Sequence, residues 1–220
     1  MNDRALRYPL VCFDLDGTLI DDTIFIWKTL HEHFATDAVK RKNAHRDYFA
    51  GRIAYREWFE CDLELLIAAG ATRDRIFDLL DDLRLMPFAV ETLNELRKRG
   101  HKLAIISGSL DIVVDHLLGE IEFDHVLINH IEFDSDGRIS GGTPTPYDLE
   151  GKADGLVELC RREGISTSRA AFVGDNSNDV WIARKAGLAI AFNCKSEELR
   201  AVCDREATAD EMRLIPDMLT

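Results

Sequence analysis

The chain has 220 residues and is 46% hydrophobic and 30% charged, a size and balance that suit one substantial core, or a core with a smaller companion, rather than a disordered chain. Its 40 acidic residues exceed its 27 basic ones, giving a formal net charge of -13, which excludes a general nucleic-acid binder because neutralising phosphates takes clustered Lys and Arg. No apolar run is long enough to span a bilayer, and the opening MNDRALRYPLV has no leader-like apolar region, so a cytoplasmic protein is expected.

The first element is a buried strand over residues 10–15, in which Cys12 reads as a small hydrophobe. The five cysteines are scattered, so neither a disulfide framework nor a metal knuckle is expected. From 22 to 85 the pattern turns helical. Phe25, Trp27, Leu30 and Phe34 line one face, and Tyr55, Trp58, Phe59, Leu63 and Leu66 line another, with Gly51 and Gly70 as punctuation. This stretch is expected to be an inserted lid whose aromatics mostly pack its own interior. Pro87 then opens a helix through Val90, Leu93 and Leu96 that Gly100 closes. A second buried strand covers 101–106, followed by a helix near 110–118 and a short strand at 126–128. IEFDSDGRIS reads as a hairpin about a Ser-Asp-Gly turn, and GGTPTP as irregular. A helix starts near Gly151, a strand covers 170–173, a helix 179–186, and a strand 188–192. A short helix comes after Ser196, and ATADEMRLIPDML is assigned an edge strand and a last turn.

Strands and helices therefore alternate outside the lid. This predicts an α/β fold: a Rossmann-like, three-layer core with a mostly parallel sheet, formed by 1–21 and 86–220, with 22–85 inserted as a small helical cap. In such sheets ligands collect beyond the carboxyl ends of the strands. Asp14 and Asp16 end the first strand, Ser107 the second, and Asp175 the fourth.

If those loops converge, four carboxylates crowd one site and need a compensating hard cation, with magnesium the natural fit. Asp14 and Asp175 are the expected side-chain ligands. Asp16 adds its backbone carbonyl, and Asp179, one helical turn past Asp175, braces a water or Lys152. Asp14, stiffened by its strand, can attack phosphorus and form an aspartyl-phosphate. Asp16 can protonate the departing alcohol and later activate water. Ser107 and the amides about Gly108, Gly17 and Thr18 can cradle the phosphoryl oxygens, and Lys152 supplies positive charge. Ser109, Asn178, Tyr55 and Arg56 complete the expected substrate contacts. The histidines show no metal-ligand pattern beyond His31 and His33, which point to different helix faces, so no zinc site is assigned.

DLDGT, Ser107, Lys152 and GDNSND occur in that order and cover nearly the whole chain. In this the chain resembles the haloacid dehalogenase superfamily of phosphatases. The resemblance implies Asp14 as nucleophile, Asp16 as acid/base and Asp175 as direct magnesium ligand. SGSLD, GKADGL, GDNSNDVWIARKAG and GRIAYREW resemble the phosphoserine-phosphatase-like branch with a helical cap. That branch places a glutamate for the substrate amine where Thr23 stands, and an arginine for its carboxylate where Asp62 stands. The expectation is therefore a magnesium-dependent phosphomonoesterase for some other small phosphorylated metabolite, such as a sugar or polyol phosphate. Phosphoserine itself, or a non-catalytic binding protein on the same scaffold, is the alternative. No nucleic-acid or membrane partner is expected, and the chain is taken as a monomer or homodimer.

Overall fold

The computed structural model describes residues 6–220. The first five residues, which open both the segment read for a leader and the core range 1–21, lie outside the described residues. β1 (Leu10–Phe13), β2 (Lys102–Leu110), β3 (His125–Phe133), β4 (Ile139–Thr143), β5 (Ala170–Gly174), β6 (Leu188–Phe192) and β7 (Arg205–Ala207) form one sheet in the order β4-β3-β2-β1-β5-β6-β7. All neighbours run parallel except β3 and β4.

The insertion between β1 and β2 carries α1 (Ile26–His33), α2 (Ala38–Phe49), α3 (Tyr55–Ala68) and α4 (Arg73–Leu80). Asp37 caps α2 by accepting from the Val39 and Lys40 amides, and Thr72 caps α4. The chain leaves and re-enters the sheet layer side by side: the Asp21 amide donates to the Arg84 carbonyl at 2.8 Å, and the Met86 amide to that of Leu19 at 2.8 Å.

β1 is central and buried at all four residues, as a strand covered on both faces must be. Alternate residues feed two cores. Val11, Phe13, Ile105 and Val173 face α5 (Ala89–Lys98), α6 (Asp111–Leu117) and the inserted helices. Leu10, Cys12, Ala104 and Phe172 face α7 (Lys152–Glu163) and α8 (Val180–Lys185). Phe13 pairs in register with both Ile105 and Val173. The polar residues just past these three strands are thereby brought to one edge.

Several expected boundaries differ. β1 ends at Phe13 rather than at residue 15, and α5 begins at Ala89, two residues past Pro87. β2 runs on to Leu110, with its register to β3 shifting between Ile106 and Leu110, so Ser107–Ser109 form an irregular strand end rather than a loop. The short strand at 126–128 and the first hairpin arm are one strand, β3, and Gly141–Thr143 of the expected irregular segment belong to its partner β4. Glycines weaken the local strand pattern, and cross-strand pairing with His130–Glu132 supplies what that pattern lacks. The helix at 179–186 opens as a 3-10 turn, Ser177–Asp179, because Asp179 accepts from the Asp175 and Asn176 amides. In the tail, α9 (Glu197–Arg200) leads into the edge strand β7, which ends at Ala207, and the chain closes with a 3-10 turn (Ala209–Leu214) and α10 (Ile215–Met218). Met212, Ile215 and Leu219 lie three and four residues apart and bury one helical face.

No helix among the described residues is long and apolar enough to cross a membrane.

Candidate active site

Asp14, immediately after β1, and Asp175, immediately after β5, stand beside Asp179. The three each offer a carboxylate oxygen, all within 4.8 Å of one another, and all three residues are buried. Such a cluster is stable only with some of its acids protonated or with positive charge nearby. Lys152, at the start of α7, supplies part of it. Its ammonium is fully buried, 2.9 Å from Asp14 Oδ1 and donating to Asp179 Oδ1 at 2.6 Å. Burial works against that charge, but Asp14, Asp179 and Asp148 outweigh it and raise the lysine pKa. Lys195, after β6, donates to Asp175 Oδ2 at 2.9 Å.

Asp16 is set apart. Its side chain turns from the cluster, accepting from the Ile26 amide at 2.7 Å and from Ser109 Oγ at 3.0 Å. Burial pushes its pKa up to about 7, and the nearby Asp14 charge adds to the rise. Asp175 is likewise pushed up to about 6, first by burial and then by Asp14. A carboxyl whose folded pKa exceeds its unfolded value favours folding as the neutral acid. That stability is complete below the ordinary value of 3.8 and is lost as pH rises through about 6 and 7. Metal-free protein is therefore expected to be less stable at pH 8 than at pH 5 by about 4 kcal/mol from these two acids, read from urea unfolding in EDTA. Asp16→Asn is expected to flatten that slope.

Gly17 and Thr18 sit on the Asp175 side. Thr18 Oγ1 donates to Asp175 Oδ1 at 3.5 Å. Gly17 has φ +77, and a methyl there would collide with the Asp175 carboxylate and press on Lys195 Nζ. Gly17→Ala is expected to raise the divalent-cation concentration for half-maximal activity about tenfold or more, because a carboxylate of the acid cluster must move. A magnesium titration of turnover checks this.

A cavity of about 170 Å³ opens over Asp14 and Asp16 and is lined there by Ser107, Gly108, Ser109 and Asn178. Ser107 Oγ accepts from the Ser109 amide at 3.2 Å. Gly108 is packed so closely on Asp148 that no side chain fits. The opposite wall comes from the inserted helices, including Tyr55 and Trp58. Tyr55 thus lies at the cavity as its expected substrate contact requires, and Trp58 and Trp27 line the cavity too, where the sequence assigns them to the interior of the lid. Arg56 is a correction: it is largely exposed, faces Glu60 at 3.6 Å, and does not line the cavity. It neighbours Tyr55 on α3, and adjacent helical residues point about 100° apart.

Several residues join the site that sequence reasoning missed. Asp148 lines the cavity and accepts from the Tyr55 hydroxyl at 2.9 Å. Asn129 donates to the Gly108 carbonyl at 2.7 Å, and Trp27 Nε1 donates to the same oxygen at 2.9 Å. Helices α1 and α3 are thus tied to the sheet edge through polar contacts at Gly108 and Asp148. Asp62 lines the cavity but is engaged there by cationic and imidazole groups: its Oδ1 lies 3.2 Å from His31 Nε2 and 3.7 Å from Arg41 Nε. Thr23 is buried and does not line the cavity.

A family model described as haloacid dehalogenase-like hydrolase matches residues 8–187. A phosphoserine phosphatase of Archaeoglobus fulgidus is 31% identical over 204 residues, 92% of this chain and 57% of that protein. Phosphoserine phosphatase SerB2 of Mycobacterium tuberculosis is 30% identical over 196 residues, 89% of this chain and 46% of that protein. The chain spans about half the length of these two relatives. A phosphoserine phosphatase of Methanocaldococcus jannaschii is 27% identical over 198 residues, covering 86% of this chain and 87% of its own. Among solved structures, a HAD family hydrolase from Salmonella enterica serovar Typhi superposes with a TM-score of 0.75 at 23% identity, over 92% of this chain and 68% of that one. A substrate-bound phosphoserine phosphatase complex does so at 0.69 and 23% identity, over 91% and 92%. These two likenesses show a shared fold, an α/β core with an inserted helical region. With the family match running through most of the chain, from the residues before β1 to the turn before β6, this protein belongs to the haloacid dehalogenase-like hydrolases.

Proposed function

We propose that this chain hydrolyses the phosphate monoester of a small metabolite, with magnesium, through an aspartyl-phosphate on Asp14. The observation that carries this reading is the contrast between two carboxylates of one loop. Asp14 stands inside the acid cluster, with the Lys152 ammonium 2.9 Å away. Asp16 stands outside it, hydrogen-bonded by Ile26 and Ser109, with its pKa raised to about 7. An acid held in the cluster beside an ammonium and an acid held outside it with a raised pKa suit separate roles as nucleophile and proton carrier.

The donor set fits a hard divalent ion. Asp14, Asp175 and Asp179 present only carboxylate oxygens, with no thiol or imidazole among them. Magnesium, when bound there, would offset the charge of the phosphoryl oxygens and of the cluster. In the first step, Asp14 forms an O–P bond while the P–O bond to the alcohol breaks, and the leaving oxygen takes the proton of Asp16. A water then gives a proton to Asp16 and attacks the same phosphorus, freeing phosphate and Asp14. Lys152 holds Asp14 in place, and Ser107 and the Gly108–Ser109 backbone receive the phosphoryl oxygens.

Phosphoserine is the substrate the relatives favour, since those matched here carry it in their names. That support outweighs the argument against it from Thr23 and Asp62. Thr23 does not reach the cavity, and Asp62, which lines it, is engaged there by Arg41, a cation that lines it as well. A phosphate-release screen over phosphorylated metabolites, phosphoserine included, in magnesium and in EDTA, tests the reading. Magnesium-dependent release is expected, with phosphoserine among the substrates. No release from any monoester would overturn the function, and release that excludes phosphoserine would overturn that substrate alone.

A further inference from the structure

The wall facing the acid cluster is unusually aromatic for a site that handles a charged group. His45 and Phe49 of α2 and Tyr55 and Trp58 of α3 all line the cavity. Trp58 is fixed by its neighbours: it stacks on Tyr48 at 4.8 Å between centroids, and it meets His45 and Tyr55 edge-on at 5.5 and 5.9 Å. Phe49, by contrast, is 59% exposed although it lines the cavity, and Phe25 at the same cavity is 43% exposed. Uncovered large apolar rings beside a cavity mark a contact surface. A second observation is independent of the rings. Trp58 Nε1 is buried and has no hydrogen-bond partner, and Trp58 lines the cavity. Buried donors without acceptors are rare in native proteins and call for a missing partner.

We propose that this chamber holds the alcohol part of the phosphomonoester through a planar aromatic or heteroaromatic ring bearing a hydrogen-bond acceptor, the ring packing against Phe49, Tyr55 and Trp58 and the acceptor meeting Trp58 Nε1. This rests on the phosphatase reading and is independent of whether phosphoserine is also a substrate. A ring placed there covers exposed aromatic surface and gains offset or edge contacts. An acceptor on it satisfies an indole N–H that otherwise remains desolvated. Because the chamber is continuous with the cavity floor at Asp14 and Ser107, a phosphoryl group can occupy that floor while the ring occupies the wall.

The test compares kcat/KM for ethyl phosphate, benzyl phosphate and pyridin-3-ylmethyl phosphate in magnesium, with phosphoserine alongside. All three probes release primary alcohols, so differences among them report mainly the chamber. Benzyl phosphate is expected to exceed ethyl phosphate about tenfold or more, and the pyridyl ester to exceed the benzyl ester severalfold. Phe49→Ala is expected to lower the benzyl-to-ethyl ratio. Trp58→Phe, which keeps a ring but removes the donor, is expected to lower the pyridyl-to-benzyl ratio. Equal kcat/KM for ethyl and benzyl phosphate, with either of them or phosphoserine turned over, would overturn the chamber and leave the phosphatase intact. Ratios unmoved by both variants would overturn its placement. No magnesium-dependent turnover of any of the four would remove the phosphatase reading and this inference with it.

Discussion

Asp14→Asn is expected to lower phosphate release by about ten-thousand-fold or more, while the folded structure and its secondary-structure spectrum are retained. Asparagine has nearly the shape of aspartate, so β1 and its pairing with β2 and β5 have no reason to change. Lys152 keeps its hydrogen bond to Asp179 at 2.6 Å and remains charged. On the proposed mechanism the loss is of the carboxylate that forms the bond to phosphorus, and an amide cannot replace it. The variant also has one fewer acid in the cluster with Asp175 and Asp179. Its metal-free stability is thus expected to match or exceed that of the parent, which separates a lost nucleophile from a damaged fold. Steady-state phosphate release and thermal melting, run on the same preparation, check both halves. Undiminished turnover in this variant would sink the mechanism.

The acid cluster was legible because its members come directly after buried strands, and an apolar strand with a carboxylate at its end is a pattern sequence displays. Asp14 after LVCF and Asp175 after AAFVG are both of this kind. The same pattern could have revealed Lys195, which lies three residues past LAIAF and binds Asp175 through both its ammonium and its backbone amide. Asp148 was harder to read. It begins a 3-10 turn and caps it at Leu149, so in sequence it looks like an ordinary turn residue. Only the third dimension sets it against Gly108 and Tyr55. The inserted helices were legible as helices and not as walls. Their apolar periodicity identifies a buried face, but whether that face meets other helices or a cavity depends on packing between segments far apart in the chain. Asp62 illustrates this: as a lone residue it suggests a carboxylate turned toward substrate, yet α1 brings His31 and α2 brings Arg41 against it.

Lys152→Met is the second large effect, and it acts on stability as well as on turnover. The lysine ammonium is fully buried and lies within 2.9 Å of Asp14 and 2.6 Å of Asp179. Methionine fills much of the same volume but leaves two buried carboxylates without their shared cation. Breaking a buried ion pair from one side costs about 3–5 kcal/mol, because the surviving charges are desolvated and unpaired. Urea unfolding of metal-free protein should show a loss of that order, together with near-complete loss of phosphate release. Two additions give the expected loss its meaning. Magnesium is expected to recover part of the stability, since a cation held by Asp14, Asp175 and Asp179 opposes the same repulsion from another side. Adding Asp179→Asn should also recover part of it, by removing one of the orphaned acids, but should not restore activity, because Asp14 would still lack the ammonium that orients it. If Lys152→Met unfolds at the parent's urea midpoint in EDTA, the acids must shed their charge by protonation rather than through the lysine, and Lys152 would then have no part in holding Asp14 for attack.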